Sequence, residues 1–407
     1  MQWLRKILDK VGKDFQHGGK LEKFHAVYDM QDTVLFTTAD TTKSGSHVRD
    51  GMDLKRMMVT VVVAMLPAVA MALYNTGYQS NLAIAAGAHA LDAWQEAVFA
   101  ALGLGYDPTN LLSNLVHGAV WFIPIFAVTA IAGGIVETVT AVIRGHEVNE
   151  GFLVTMFLIP LITPATVPLW QIFVATVFGV LIGKEIFGGT GFNILNPALV
   201  ARAFLFFAYP AEISGDKVWI AADLTGVDGL SGATWLSRAS SAGMGPEGLG
   251  NLDLMDAFLG FIPGSMGETS ALACLIGAVI LIATGIGSWR TMAGVGIGTI
   301  ALSMLLNAVG SETNPFFAVP FYYHMVLGGW ALGTVFMATE PVTSPFTDTG
   351  KLIYGFLIGV LVVLVRVVNP AYPEGMMLAI LFMNMFAPLI DYFFIQANIK
   401  RRAARYA

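Results

Sequence analysis

Long apolar runs recur along the chain, separated by short polar stretches. Ten are read from the pattern: residues 57–74, 116–136, 152–167, 169–184, 194–209, 269–286, 292–309, 324–339, 353–368 and 376–395. Runs of this length predict helices that cross a bilayer, where a straight span needs about 20 apolar residues. Several are shorter than that. The third contains Pro160 and Pro164, the fifth opens on Asn196-Pro197, a helix-start signature, and the eighth runs into Thr339-Glu340-Pro341. Short or Pro-interrupted segments in membranes mark discontinuous helices around a midplane site.

Composition agrees with this pattern. The chain has 407 residues, of which 56% are hydrophobic and only 12% charged, about half the charged share of a soluble domain. A soluble enzyme, a nucleic-acid binder and a disordered chain are excluded as readings, and no nucleic-acid partner is expected. The single cysteine, Cys274, allows no intramolecular disulfide and cannot hold an iron–sulfur cluster, which needs about four thiolates. The start, Met1-Gln2-Trp3-Leu4-Arg5-Lys6, lacks the apolar run of a cleaved signal peptide, so the first span is expected to act as an uncleaved signal.

Lysine and arginine set the expected orientation. Residues 1–56 carry ten of the 22 basic residues, and the tail carries Lys400, Arg401, Arg402 and Arg405. With ten spans and both ends cytoplasmic, Arg144, Lys184, Arg290 and Lys351 also fall inside. The resulting division is a cytoplasmic arm (1–56), a first membrane half (57–209), an outer loop (210–256), a second half (257–395) and a basic tail (396–407). Odd halves of five spans must be oppositely oriented. Pro160-x3-Pro164 echoes Pro341-x3-Pro345, and Thr155-x-Phe157 echoes Thr334-x-Phe336, which supports an inverted repeat only alongside the topology.

Four places could carry chemistry. The outer loop contains Asp228-Gly229-Leu230-Ser231-Gly232-Ala233-Thr234, a turn-forming run that ends on a hydroxyl. The plain alternative is a turn capped by Ser231 or Thr234 before a short helix. The inner stretch 185–196 places Gly188, Gly189 and Gly191 before Asn193 and Asn196. It reads as a ligand-binding turn or a simple Asn cap, and no lysine follows in nucleotide-loop spacing. Gly133-Gly134 in the second run permits close approach of a helix or of a flat ring. Glu137, Arg202, Arg366 and Asp391 lie in or beside spans, where each charge near the centre costs about 3 kcal/mol. They are expected in a pathway, in a buried pair or at the interface. His117 and His324, at outer span ends, make a bis-histidine haem conceivable but disfavoured.

The 228–234 run resembles the D-G-x-(S/T)-G-A-T element on which a flavin transferase places FMN. Its surroundings are also specific: Phe187 to Leu199, Arg202 to Pro210, Met337-Ala338-Thr339-Glu340-Pro341-Val342-Thr343, and Val367 to Leu381. Together they resemble the B-subunit family of the bacterial sodium-translocating NADH:quinone oxidoreductases (the Nqr complex) over nearly the whole chain. The D subunit of the Rnf complex is a related alternative, disfavoured by the length and the arm 1–56. Glu340 departs from the aspartate expected in its element but keeps the charge.

The resemblance implies an all-α polytopic membrane protein of about ten helices in an inverted five-plus-five repeat, urea-channel-like, in the bacterial inner membrane. It implies FMN esterified to Thr234, with Asp228, Ser231, Gly232 and Ala233 forming the attachment loop. It also implies noncovalent riboflavin near Asn193, Asn196 and Thr155, and a ubiquinone headgroup near Gly133 and Gly134. Glu137, Asp391 and Glu340 are implied in a sodium path. Electrons would pass through both flavins to ubiquinone, with NADH oxidised on another subunit of a multi-subunit complex. A channel or secondary transporter for a small polar solute is the rival reading, since broken helices and inverted halves serve it equally.

Overall fold

The computed structural model describes residues 2–15, 19, 21–22, 28, 54–144, 151–225, 227, 231–240, 245–250, 252–369 and 372–405. Most of the arm 1–56 and Asp228 of the attachment loop therefore lie outside the described residues. Helices dominate, as they must where no water can satisfy backbone groups. The described residues form no strand, only an isolated antiparallel bridge between His89 and Asp223.

In chain order the main helices are α1 (Gln2–Gly12), α2 (Leu54–Ala85), α3 (Trp94–Ala101), α4 (Leu111–Arg144), α5 (Gly151–Leu161), α6 (Leu169–Gly183), α7 (Pro197–Ala208), α8 (Trp235–Ser240), α9 (Ala271–Ala283), α10 (Trp289–Val309), α11 (Phe321–Val326), α12 (Asp348–Val368) and α13 (Met376–Ala403). Among the described residues, six helices are long and apolar enough to cross a membrane: α2, α4, α6, α10, α12 and α13. The shorter apolar helices α5, α7 and α9 fall in the third, fifth and sixth predicted runs. Residues 86–110, with α3, form a connection between α2 and α4 that the apolar pattern does not single out.

Two pairs of long helices come into backbone contact through glycine. A Cβ on Gly77 of α2 would meet the Asn114 carbonyl of α4, and one on Gly118 would meet that of Leu73. In the other pair, Gly294 and Gly298 of α10 face Gly355 and Gly359 of α12 in the same way. Small residues let membrane helices approach this closely.

The breaks have identifiable causes. The third run is helical only to Leu161, because Pro164 and Pro168 cannot continue the hydrogen-bond ladder. The freed carbonyls of Leu161 and Thr163 accept from Gly267 N (2.7 Å) and Met266 N (3.2 Å), in the stretch leading into α9. The eighth run breaks at Leu327–Gly329, ahead of the Thr339-Glu340-Pro341 element read from the sequence. It resumes as a turn, Trp330–Leu332, and a π turn, Gly333–Met337. Gly328 has φ +65°, a left-handed conformation that favours glycine. The free helix end is satisfied from α12: Arg366 donates to the carbonyls of His324 (2.5 Å) and Leu327 (2.9 Å), and its Nε donates to the Glu374 carbonyl in the connection to α13 (3.0 Å). Trp330 Nε1 donates to Thr299 on α10 at 2.9 Å and holds the resumed segment in place.

Candidate flavin and ion sites

Asn196 caps α7, as the Asn-Pro signature predicts: its Oδ1 accepts from Leu199 N at 3.2 Å, and Pro197 fills the first helical position. Its amide nitrogen is thereby directed at Glu340, donating to Oε2 at 2.9 Å. Asn193 donates to Oε1 of the same carboxylate at 3.3 Å, and Thr343 to Oε2 at 2.9 Å. Glu340 thus orients both asparagines. These groups open on a pocket of about 750 Å³ that Thr155 of α5 and Lys184 also line, walled by Met58, Leu158 and Phe336. Residues taken from separate stretches of sequence meet here, around a mostly apolar lining with a few convergent polar groups, the usual make-up of a small-molecule site. An apolar wall with convergent amides and charges suits a flat heteroaromatic ligand such as a flavin ring.

Glu137 is paired with Lys184, both buried. Lys184 also donates to Thr190 at 3.2 Å and faces Glu185 at 3.6 Å. Asp391 is buried away from the pocket, where it holds the turn before α12. It accepts from Phe346 N (2.5 Å), Thr347 N (3.0 Å) and the Thr347 hydroxyl (2.6 Å). The two glycines of α4 differ. A Cβ at Gly133 would strike the Phe152 ring, whereas one at Gly134 would meet nothing within 4 Å. His117 is held by Asn81 at 2.8 Å and Glu96 at 2.9 Å through its two ring nitrogens, which leaves neither free for a haem iron.

Thr234 sits at the start of α8 and is 7% exposed. Its hydroxyl oxygen accepts from Ser237 N at 3.2 Å, so the plain expectation of a capped turn is met. The same hydroxyl donates to Glu374 Oε1 at 3.2 Å, an interaction that a simple cap does not need. Within the loop, Ser231 Oγ accepts from Ala233 N at 3.2 Å, and Arg238 donates to the Ser231 carbonyl at 2.6 Å. A side chain on Gly232 would collide with the Asp216 carbonyl. Thr234 opens on a second pocket, about 300 Å³, lined also by Ser265, Glu268, Thr269, Gly328 and Glu374. Beneath it Arg202 of α7 pairs with Glu268 and reaches Ser265 Oγ at 3.3 Å. Burial, with Glu268 nearby, pushes the Glu374 carboxyl above the ordinary range.

Glu268 and Glu374 were not singled out from sequence. Glu268 directly precedes the sixth apolar run, and Glu374 lies in the Pro-rich stretch before the tenth. An acid abutting a span was the available signal.

A profile of the NQR2, RnfD, RnfE family matches residues 41–400. Curated relatives match nearly end to end. A protein of Chromohalobacter salexigens is 57% identical over 404 residues, covering 99% of this chain and 97% of the relative. One of Ectopseudomonas mendocina is 55% identical over 405 residues, and one of Azotobacter vinelandii 54% over 405, each covering 99% of both chains. All three are named as the B-subunit of a Na(+)-translocating NADH-quinone reductase. The glycine-packed helix pairs, the broken segments and these matches belong together: the chain is a member of the NQR2, RnfD, RnfE family.

Proposed function

We propose that this chain is the membrane subunit of a sodium-translocating NADH:quinone oxidoreductase, holding FMN as an ester of Thr234 and riboflavin in the pocket of Asn193, Asn196 and Thr155. On this reading it works with ubiquinone as acceptor and Na+ as the exported ion, inside a multi-subunit complex matured by a flavin transferase. The carrying observation is the pocket around Glu340, in a chain so similar throughout to relatives of that name. Bound flavin supplies electron-transfer chemistry, and the chain's own part is to position the ring and tune it. Asn193, Asn196 and Glu340 offer donors and acceptors for the ring edge, and Phe336 and Leu158 exclude water from its face. The proposed topology has ten crossings, five in each of two inverted halves bounded as 57–209 and 257–395, in a bacterial inner membrane with both ends cytoplasmic.

The riboflavin assignment is tested with Asn193→Leu, which spares the Asn196 cap. Noncovalent flavin released on denaturing the purified complex is expected to fall several-fold while covalent flavin stays. Unchanged release means that the pocket holds something else.

Gly134→Val is expected to leave assembly and flavin content normal, since nothing lies within 4 Å of its Cβ, but to raise the KM for ubiquinone. An unaltered KM in an assembled complex removes Gly134 from the quinone site.

Glu137, Asp391 and Glu340 are proposed to act on the sodium path. Asp391→Ala, or Glu137→Ala, which leaves Lys184 still facing Glu185 at 3.6 Å, is expected to raise the Na+ concentration for half-maximal turnover with flavin content unchanged. Identical Na+ curves in both variants would leave Glu137 as the partner of Lys184 and Asp391 as the anchor of the 346–347 turn.

A further inference from the structure

The pocket beside Thr234 presents oxygen to whatever occupies it. Its polar lining consists of the Glu268 and Glu374 carboxylates and the hydroxyls of Thr234, Ser265 and Thr269. Among the described residues two of these oxygens have no hydrogen-bond partner: Oγ1 of Thr269, a residue only 3% exposed, and Oε2 of Glu374. A buried polar atom left unmatched costs about 1–3 kcal/mol, so such groups normally have a reason.

Two of the nearby cations are already committed. Arg202 is paired with Glu268, and the N–H groups of Arg366 are directed at the carbonyls of His324, Leu327 and Glu374. Two arginines and two glutamates balance. An ester phosphate on Thr234 adds one more negative charge within reach of Glu374, with Arg238, which donates to the Ser231 carbonyl, as the remaining nearby cation among the described residues. The backbone also comes close. A Cβ at Gly328 would fall on Glu374 Oε2 and one at Gly329 on Glu268 Oε1, so both carboxylates press against the break between α11 and the turn Trp330–Leu332.

We propose that this pocket binds a small, hard monovalent cation, Na+ in the working protein, through Glu374, Glu268 and Thr269. Carboxylate and hydroxyl oxygens are the ligands that such ions prefer. Interrupted membrane helices recur at sodium sites because the unwound backbone there is polar and close. The orphan oxygens and the acid pair stand without any flavin; only the added phosphate charge rests on the reading of Thr234 above.

The test uses the purified complex and Na+ itself as probe. Thermal unfolding is followed across an NaCl series, with choline chloride holding ionic strength constant, and the Na+ dependence of turnover is recorded beside it. A ligand that binds only the folded state raises its melting temperature. Thr269→Val removes one oxygen without changing charge or breaking a hydrogen bond. It is expected to shift both Na+ midpoints upward by about tenfold, the effect of losing ~1.4 kcal/mol of binding. Glu374→Gln is expected to shift them further. Wild-type midpoints in Thr269→Val overturn the proposal whether or not Glu374→Gln assembles. A Thr234→Ala background separates the two readings. There Thr269→Val is still expected to move the Na+ midpoint of unfolding, and an unmoved midpoint overturns the cation site. Absence of covalent flavin from the wild-type chain sinks the flavin reading alone.

Discussion

Replacing Thr234 by alanine is expected to strip covalent flavin from this chain and to abolish quinone reduction, while the subunit still assembles. A methyl group cannot form the phosphoester. The structural cost is bounded by what the hydroxyl does in the fold: it caps α8 through Ser237 N and donates to Glu374. Losing such a cap costs about 1 kcal/mol. α8 spans only Trp235–Ser240, and the apolar cluster that Leu236 and Ala239 share with Val363 and Val367 of α12 does not involve the hydroxyl, so a loss of that size should not prevent insertion. Thr234→Ser keeps both the cap and a nucleophilic hydroxyl, and is expected to retain assembly with covalent flavin at a level set by the transferase. In-gel fluorescence after SDS denaturation reads covalent flavin, and the amount of chain in purified complex reads assembly. Loss of the chain from the complex together with the fluorescence would make Thr234 primarily structural.

The second large effect is expected at Arg202. Arg202→Met leaves Glu268 buried without its partner and removes the contact to Ser265. Breaking a buried pair from one side costs about 3–5 kcal/mol, far more than the pair contributes over an apolar replacement. Little or none of the chain is therefore expected in the membrane. The companion Arg202→Met/Glu268→Gln removes both charges and is expected to recover much of the assembly, because the uncompensated carboxylate is the main fault. Non-additivity between the two changes, measured as melting temperatures of whatever complex can be purified, isolates the coupling. Equal loss in the single and double variants would mean that the guanidinium stem matters for packing rather than for charge.

The apolar pattern located most helices because a membrane leaves the backbone few alternatives. Leu169–Gly183 and Met376–Ala403 begin where the runs at 169 and 376 begin, and Asn196-Pro197 marked the start of α7 by local chemistry alone. Pro160 and Pro164 signalled the first break. The eighth run does stop before Glu340-Pro341, but the earlier break at Gly328-Gly329 was missed, because a glycine pair in an apolar run also serves plain helix packing, as Gly294 and Gly298 do. Asn193, Asn196, Thr155 and Glu340 were each legible, but on separate grounds: Glu340 was grouped with the ion path, and only the fold brings its carboxylate between the two amides. Gly133 and Gly134 look alike in sequence and differ in what stands opposite, one meeting Phe152 and the other open space. Glu268 and Glu374 could not be paired with Arg202 or Thr234 from sequence. Their partners lie on other elements, 66 and 140 residues away, and no periodicity reports a contact of that kind.

The central claim is that Thr234 carries the flavin, and the measurement that meets it most directly is mass spectrometry of the peptide containing Thr234 from protein made in its native host. The account predicts that this peptide bears the mass of FMN linked through phosphate, with the fragment series placing the addition on Thr234 and not on Ser231 or Ser237. An unmodified Thr234 peptide from active, fully assembled complex would contradict the account and leave Thr234 as the cap of α8 and the partner of Glu374.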